Sequence, residues 1–322
     1  MNKFENDFQK EMEEHLLRFK TNSQYLPSHS KKAWLYNDFA DNLFPPIRHG
    51  FLQHIYDEAM PLHDYINHVR SSQAYCINVF YPVLIQNPGA LLELLGSRIH
   101  THLKTLLGFE FEYSPDTNVL GEWKSDDNRP EEYVTAVDLK IDAQDNQGRR
   151  VVFLVEVKFT ESSFTPCGGF DSGRNTGDMR RACTDAGVLT KDSRECYLQG
   201  ANGKGKLHRT YFKYFDPLLS HFNEASFHAE CPFIHLHQCL RNHALVRHHR
   251  SAGDSCFFVL LHHEKNESIV LAWKNYLNLL QPSAGIELLS LTGQEVIDSS
   301  GMETLKAYYR DRYTLAAGAH GA

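Results

Sequence analysis

The residues most able to do chemistry in this sequence are those where charge interrupts a strongly apolar run. VVFLVEVKF (151–159) is apolar as far as Val155 and then sets Glu156 and Lys158 two residues apart. On an extended strand that spacing puts both on one face, roughly 7 Å apart between Cα atoms. Just upstream, VTAVDLKID (134–142) places Asp138 in another apolar stretch. Such groups are costly to bury without a purpose or a partner. If the two segments pair as a hairpin, Asp138 and Glu156 can converge on one hard cation, Mg²⁺ (or Mn²⁺), which takes a few carboxylate oxygens and keeps water in its other positions. The backbone carbonyl of Val157 is a further donor within reach, and Lys158 then stands beside that water. The set suits phosphodiester hydrolysis. The metal polarises the phosphate and lowers the pKa of a water, while a fixed ammonium orients the nucleophile or offsets developing charge. ExK spacing alone is a weak signal, because an exposed Glu and Lys at a strand end more often form a solvated pair.

These residues need a sheet to position them. AQDNQGRR (143–150) supplies turn formers between the two strands, so 134–142 and 151–159 read as a β-hairpin. Alternation puts Ala136, Asp138 and Lys140 on one face of the first strand, and Val152, Leu154, Glu156 and Lys158 on one face of the second. Upstream, Leu91, Leu92, Leu95, Ile99, Leu103 and Leu106 recur at helical spacing, which predicts a helix over 88–107 ended by Gly108, then a strand at FEFEY (109–113). SSQAYCINVFYPVL (71–84) reads as a helix capped by Ser71 or Ser72. Downstream, the pattern predicts a helix over 233–249, a strand over 256–263, a helix over 268–280 and a strand over 285–291, after a Gly-rich, charged stretch from 160 to 230. The order predicts an α/β fold, a mixed central sheet with helices on its faces. Residues 1–70 form an N-terminal helical extension, 71–292 the central domain and 293–322 a C-terminal helix and tail.

Bulk properties narrow the function classes. The 322 residues are 42% hydrophobic, enough for a sizeable core, and contain no run of about 18 apolar residues. The N-terminus is amphipathic and charged, so a cytoplasmic protein with no membrane segment is expected. A formal net charge of -7 argues against non-specific coating of nucleic acid but says nothing of a local basic cleft. Between Arg174 and Lys213, nine Lys and Arg face four Asp and Glu, a segment that could meet phosphates or could be a solvated loop. Seven cysteines with no CxxC pair suggest reduced thiols. Cys167, Cys183 and Cys196 could serve an iron-sulfur cluster, yet they form no recognisable four-cysteine pattern. Cys231, His235, His237, Cys239 and His243 are ligand types, yet His235 and His237 would face different ways on a helix.

With these residues in view, the sequence resembles the PD-(D/E)xK nuclease superfamily, in which an acidic residue on one strand and ExK on the next form the active site of a restriction-endonuclease-like α/β core. The carrying segments are VTAVD (134–138) and FLVEVK (153–158), with Val137 where the pattern has proline. More specifically it is similar to a bacterial group of restriction-endonuclease-like proteins, across SSQAYCINVF (71–80), FEFEYSP (109–115), TAVDLKI (135–141), EVKFTE (156–161), LRNHALV (240–246) and FFVLLHH (257–263). The resemblance implies a Mg²⁺-dependent enzyme acting on DNA, and a further upstream carboxylate, with Glu112 the first choice and Glu93 the second. On the 233–249 helix, Gln238, Arg241 and Asn242 stand at i, i+3 and i+4 and would project together towards the scissile phosphate or the DNA backbone. A homodimer is compatible with all of this. Two other readings share the residues: a nuclease fold without catalysis that binds nucleic acid or a partner protein, and a cytoplasmic ligand-binding protein in which Glu156 and Lys158 are a surface ion pair. Convergence of Asp138, Glu156 and Lys158 in a basic cleft separates them.

Overall fold

Apolar, β-branched segments become the strands of a mixed sheet. The structure, a computed structural model, describes residues 3–22, 32–124, 129–130, 134–173, 175–185, 195–199, 209–215, 218–227 and 230–315. Five strands, β1 (Leu103–Tyr113), β2 (Val137–Asp145), β3 (Arg150–Lys158), β4 (Ser255–His262) and β5 (Leu288–Thr292), lie side by side in chain order. β1, β2 and β3 are antiparallel to one another, and β4 and β5 continue parallel to β3. The predicted hairpin is present. Gly148 sits at φ 80°, which glycine adopts without a steric penalty, and the Asp145 carboxylate accepts the N–H groups of Gln147 (2.8 Å) and Arg149 (2.9 Å).

Every residue of β3 after Arg150 is buried, as a central strand covered on both faces requires. On one face, Leu139, Ile141, Phe153 and Val155 pack with α1 (Lys3–Asn22), α3 (Ser72–Gln86) and α4 (Pro88–Arg98), beyond α2 (Arg48–Glu58). On the other, Val152, Leu154, Phe258 and Leu260 pack with residues of the 159–236 connection, which includes α5 (Asp178–Thr184), and with α6 (His237–Ser251) and α7 (Glu267–Asn278). Each fully buried Val, Leu or Phe contributes about 1.5–3 kcal/mol. A one-residue slip of β3 would exchange its two faces and is strongly disfavoured. The result is the expected α/β architecture, a helix-flanked mixed sheet with an N-terminal helical part. Among the described residues no helix is long and apolar enough to cross a membrane.

Several boundaries differ from those the sequence pattern predicts. The helix expected over 88–107 ends at Arg98, and Gly108, its expected stop, lies inside β1. The chain reverses at His100 (φ 53°), and Gly96 allows it to fold back, since a Cβ there would meet the Thr101 carbonyl at 2.5 Å. From Leu103 onward, pairing with β2 satisfies the backbone, and the helical spacing of Leu103 and Leu106 is coincidental. The first hairpin strand runs 137–145, not 134–142; the helix expected over 233–249 begins at His237; and the last strand begins at Leu288. Ser71 does cap α3, its Oγ accepting from Ala74 N–H (3.1 Å). Much of the basic segment from 174 to 213, including Arg174, Lys191, Arg194, Lys204 and Lys206, lies outside the described residues.

The two ends of the described chain meet under the sheet. Arg312, in α9 (Glu303–Tyr313, after α8, Gly293–Ser299), is 1% exposed and donates to the carbonyl (3.0 Å) and side-chain oxygen of Asn42 and to Tyr308 Oη. Asn78 of α3 donates to the same Asn42 carbonyl (3.0 Å) and to Tyr313 Oη (2.7 Å). Truncating the guanidinium takes this donor from the Asn42 side-chain oxygen and opens a cavity. Arg312→Ala is expected to lower stability by roughly 3 kcal/mol or more, read as a fall in the urea midpoint at unchanged slope; a midpoint within error of wild type would show the network to be dispensable.

Candidate active site

Pairing of β2 with β3 ends at Leu139 opposite Val155, and one step further the register sets Asp138 opposite Glu156. On the other side of β2, Phe111 faces Leu139 and Tyr113 faces Val137, so Glu112 is opposite Asp138. Three carboxylates therefore occupy adjacent positions on three consecutive strands. Where the pairing stops, the strands part, and the Val157 N–H donates to Asp138 Oδ2 (2.6 Å) instead of to backbone. In an extended strand the N–H and C=O of one residue point to the same side. The Val157 carbonyl therefore also faces the gap beside Asp138.

Glu156 is 3% exposed and Lys158 8%. Lys158 Nζ stands 3.0 Å from Glu156 Oε1. The surface ion pair of the ligand-binding reading is therefore not what the fold contains. Gln238 Nε2 donates to Glu156 Oε1 (2.6 Å) and Asn242 Nδ2 to Glu156 Oε2 (2.8 Å), so both carboxylate oxygens are held from α6. Gln238 is itself fixed, its Oε1 accepting from Thr165 N–H (3.1 Å). Asn242 is fully buried and its Oδ1 has no partner. Gln238 and Asn242, expected to project towards a phosphate, brace Glu156. Burial opposes the charge on Lys158, yet Glu156, Glu161 and Asp138 outweigh it and hold the ammonium above its ordinary value.

Glu112 is held from the opposite layer. Gln73 of α3 donates to Glu112 Oε1 (2.8 Å), and His63 Nε2 lies 3.0 Å from Oε2. That pairing raises the His63 pKa in spite of partial burial. Glu112 adopts φ 54°, a left-handed conformation that costs a non-glycine residue about 1–3 kcal/mol. Burial first, then the charges of Asp138, Glu112 and Glu156, push up the thiol of Cys76 in α3, which places all three carboxylates near one point of that helix. Glu93, the second choice, is exposed and lines a groove with Gly96, His100 and His102. An open groove of about 430 Å³ adjoins the site, lined by His63, His68, Arg70, Ser71, Thr160 and Glu161.

Arg241 lies on the next stripe of α6, beside His237. Its Nε is buried without a partner. Burial, then Arg241 and Arg209, depress the His237 pKa to about 3, so two guanidinium charges meet at the start of this helix. Glu122 lies near the same charges and was not singled out in its polar loop. It is buried, and accepts from Thr135 N–H (2.6 Å), Thr135 Oγ1 (2.7 Å) and Tyr211 Oη (2.7 Å). His63 and Gln73 were also missed; Gln73, a buried amide in the apolar segment SSQAYCINVF, was the available signal.

Among the described residues no three His, Cys, Asp or Glu side chains form a ready metal cage. Glu112 and Glu156 are drawn to opposite layers, which accounts for this. The donors nonetheless fit Mg²⁺ or Mn²⁺, which are held by one or two carboxylates and water and do not need an all-protein cage. Asp138, Glu156 and the Val157 carbonyl are hard oxygen donors around an excess of negative charge. Burial first, then Glu156 and Glu112, hold the Asp138 carboxyl well above the ordinary range, against Lys158 and the Val157 N–H. Because the folded state binds this proton more tightly than the unfolded chain, the stability it contributes is full below pH about 4 and is lost as pH rises through the raised value. Asp138→Asn keeps an acceptor for Val157 and removes the charge. It is expected to stabilise the metal-free protein at pH 8 by on the order of 1 kcal/mol, with a smaller gain at pH 5. Urea melts at the two pH values check this, and a variant less stable than wild type at pH 8 would refute it.

The model of the family described as Restriction Endonuclease associating with ARP matches residues 5–314. No curated protein and no solved structure matches the chain. With the match spanning nearly the whole sequence, the chain belongs to this restriction endonuclease family.

Proposed function

We propose that the protein is a metal-dependent nuclease that hydrolyses phosphodiester bonds in DNA through a PD-(D/E)xK-type site. The observation that carries this reading is the apposition of Asp138 and Glu156 at the parting ends of two central strands, with Lys158 Nζ 3.0 Å from Glu156 Oε1. Asp138, Glu156 and the Val157 carbonyl would hold Mg²⁺ or Mn²⁺, which when bound supplies phosphate polarisation and a more acidic water. Gln238 and Asn242 keep both Glu156 oxygens oriented. Lys158, held protonated, is no general base at neutral pH. It acts by charge, positioning the attacking water and offsetting the negative charge that develops on the phosphate. Glu112, steadied by Gln73 and His63, is the third carboxylate of the set. Arg241 has a buried Nε with no partner beside Arg209, which suits contact with a backbone phosphate. Family membership supports DNA as the substrate, and the family's name records an association with ARP. A cytoplasmic homodimer with one site per strand would cut a duplex.

Plasmid and linear DNA are expected to be cleaved with Mg²⁺ or Mn²⁺ and not with EDTA. Asp138→Ala and Lys158→Ala should each lower the rate by about 10²–10³-fold. Persistent EDTA-sensitive cleavage by both variants would remove these residues from the site, and DNA binding without cleavage by wild type would favour a nuclease fold that only binds. Arg241→Gln should weaken binding about equally across sequences and reduce the slope of log affinity against log salt by about 1. Fluorescence anisotropy measures this, and an unchanged slope places Arg241 off the DNA.

A further inference from the structure

The long connection from β3 to α6 contains a second set of chemically able groups, Cys167, Cys183, Cys196 and Cys231. Widely separated in sequence, they are tied together in space. Cys231 N–H donates to the Cys183 carbonyl (2.7 Å), and Cys167 N–H to the carbonyl of Ile234, three residues after Cys231 (2.8 Å). Asn175 Nδ2 donates to the Gly169 carbonyl (2.9 Å) and lies 4.0 Å from Cys183 Sγ, bridging the Cys167 turn to α5. Gly169 in turn packs on Leu198, two residues after Cys196, so tightly that a Cβ would meet the Leu198 side chain at 2.5 Å. Each cysteine-bearing turn therefore touches another.

Three of the cysteines each open a tight turn: Phe170 N–H donates to the Cys167 carbonyl (3.0 Å), Gln199 N–H to the Cys196 carbonyl (2.9 Å) and Ile234 N–H to the Cys231 carbonyl (3.2 Å). Asn175 is fully buried and its Oδ1 has no partner, an orphaned polar atom beside Cys183. Burial pushes all four thiols up, and for Cys167, Cys196 and Cys231 the neighbouring thiols add to it. Among the described residues no cysteine is in a disulfide.

We propose that Cys167, Cys183, Cys196 and Cys231 are the four ligands of a structural zinc ion that staples the 159–236 connection. Four thiolates make a closed tetrahedral site, the composition of structural zinc centres. The described residues of this connection add no strand to the sheet, so a metal supplies the cross-link that strand pairing does not. The four sulfurs are not yet at ligand distance from a common point. Binding of the ion therefore requires the four side chains to turn inward within the tied turns. This zinc is separate from the metal of the Asp138 site and does not depend on the nuclease reading.

Elemental analysis of the purified full chain tests the assignment. About one zinc per chain is expected, retained in Asp138→Ala, with Co²⁺ replacement giving the visible spectrum of a tetrahedral thiolate site. Cys183→Ser and Cys231→Ser should each weaken zinc binding at least roughly tenfold. Wild-type protein that neither contains zinc nor takes it up on addition of Zn²⁺, one that carries iron with broad visible absorption, or a Cys183→Ser variant with full zinc and an unchanged Co²⁺ spectrum would each overturn it.

Discussion

Glu156 is a carboxylate at the end of a strand that is covered on both faces. An ion buried there without partners would cost several kcal/mol, so its neutralisation constrains the surrounding structure. Lys158 supplies the countercharge from the same strand, and Gln238 and Asn242 supply two neutral donors from α6. The start of that helix is therefore not a free choice. Gln238 must reach Glu156 while its own carbonyl oxygen is held by Thr165, which pins the chain just beyond β3 to the first turn of α6. The connection between those points, which includes α5, thus has its two ends fixed at one acidic side chain.

The site joins the two layers of the fold. Glu156 is held from α6, Glu112 from α3 and the His63 segment, and Asp138 stands between them on the strand that separates the layers. The left-handed backbone at Glu112 belongs to this arrangement, since a strained residue persists only where its surroundings over-determine it. Gln73 is the brace that does so. It donates to Glu112 and to the Pro61 carbonyl and accepts from His63 N–H, so its amide is fully used.

What could be read from the sequence follows the range of the interactions. The hairpin and the apposition of Asp138 with Glu156 were legible because both depend on a period of two across a short turn. The central position of β3 was legible from its apolar run. The braces on Glu156 come from residues 82 and 86 positions away in sequence, and no local pattern distinguishes an amide aimed at a carboxylate from one aimed at a phosphate. The helix expected over 88–107 failed because Leu103 and Leu106 happen to continue a helical spacing, while the reversal at His100 depends on contact with Gly96 that no window of sequence displays. The backbone ties between the cysteine-bearing turns, which involve no CxxC pair, were hidden for the same reason.

The contact between Asn42 and Arg312 spans 270 residues. Closing a loop of that length in one step carries a large entropic penalty, although the penalty grows only logarithmically with length. The intervening sheet reduces it, because its strands are added in chain order and bring the two ends together progressively. Contacts so distant in sequence slow folding more than they add to equilibrium stability. The clasp under the sheet is thus placed to form late, after the strands that carry Asp138 and Glu156 have paired, and as a late contact it would act chiefly on the rate of unfolding.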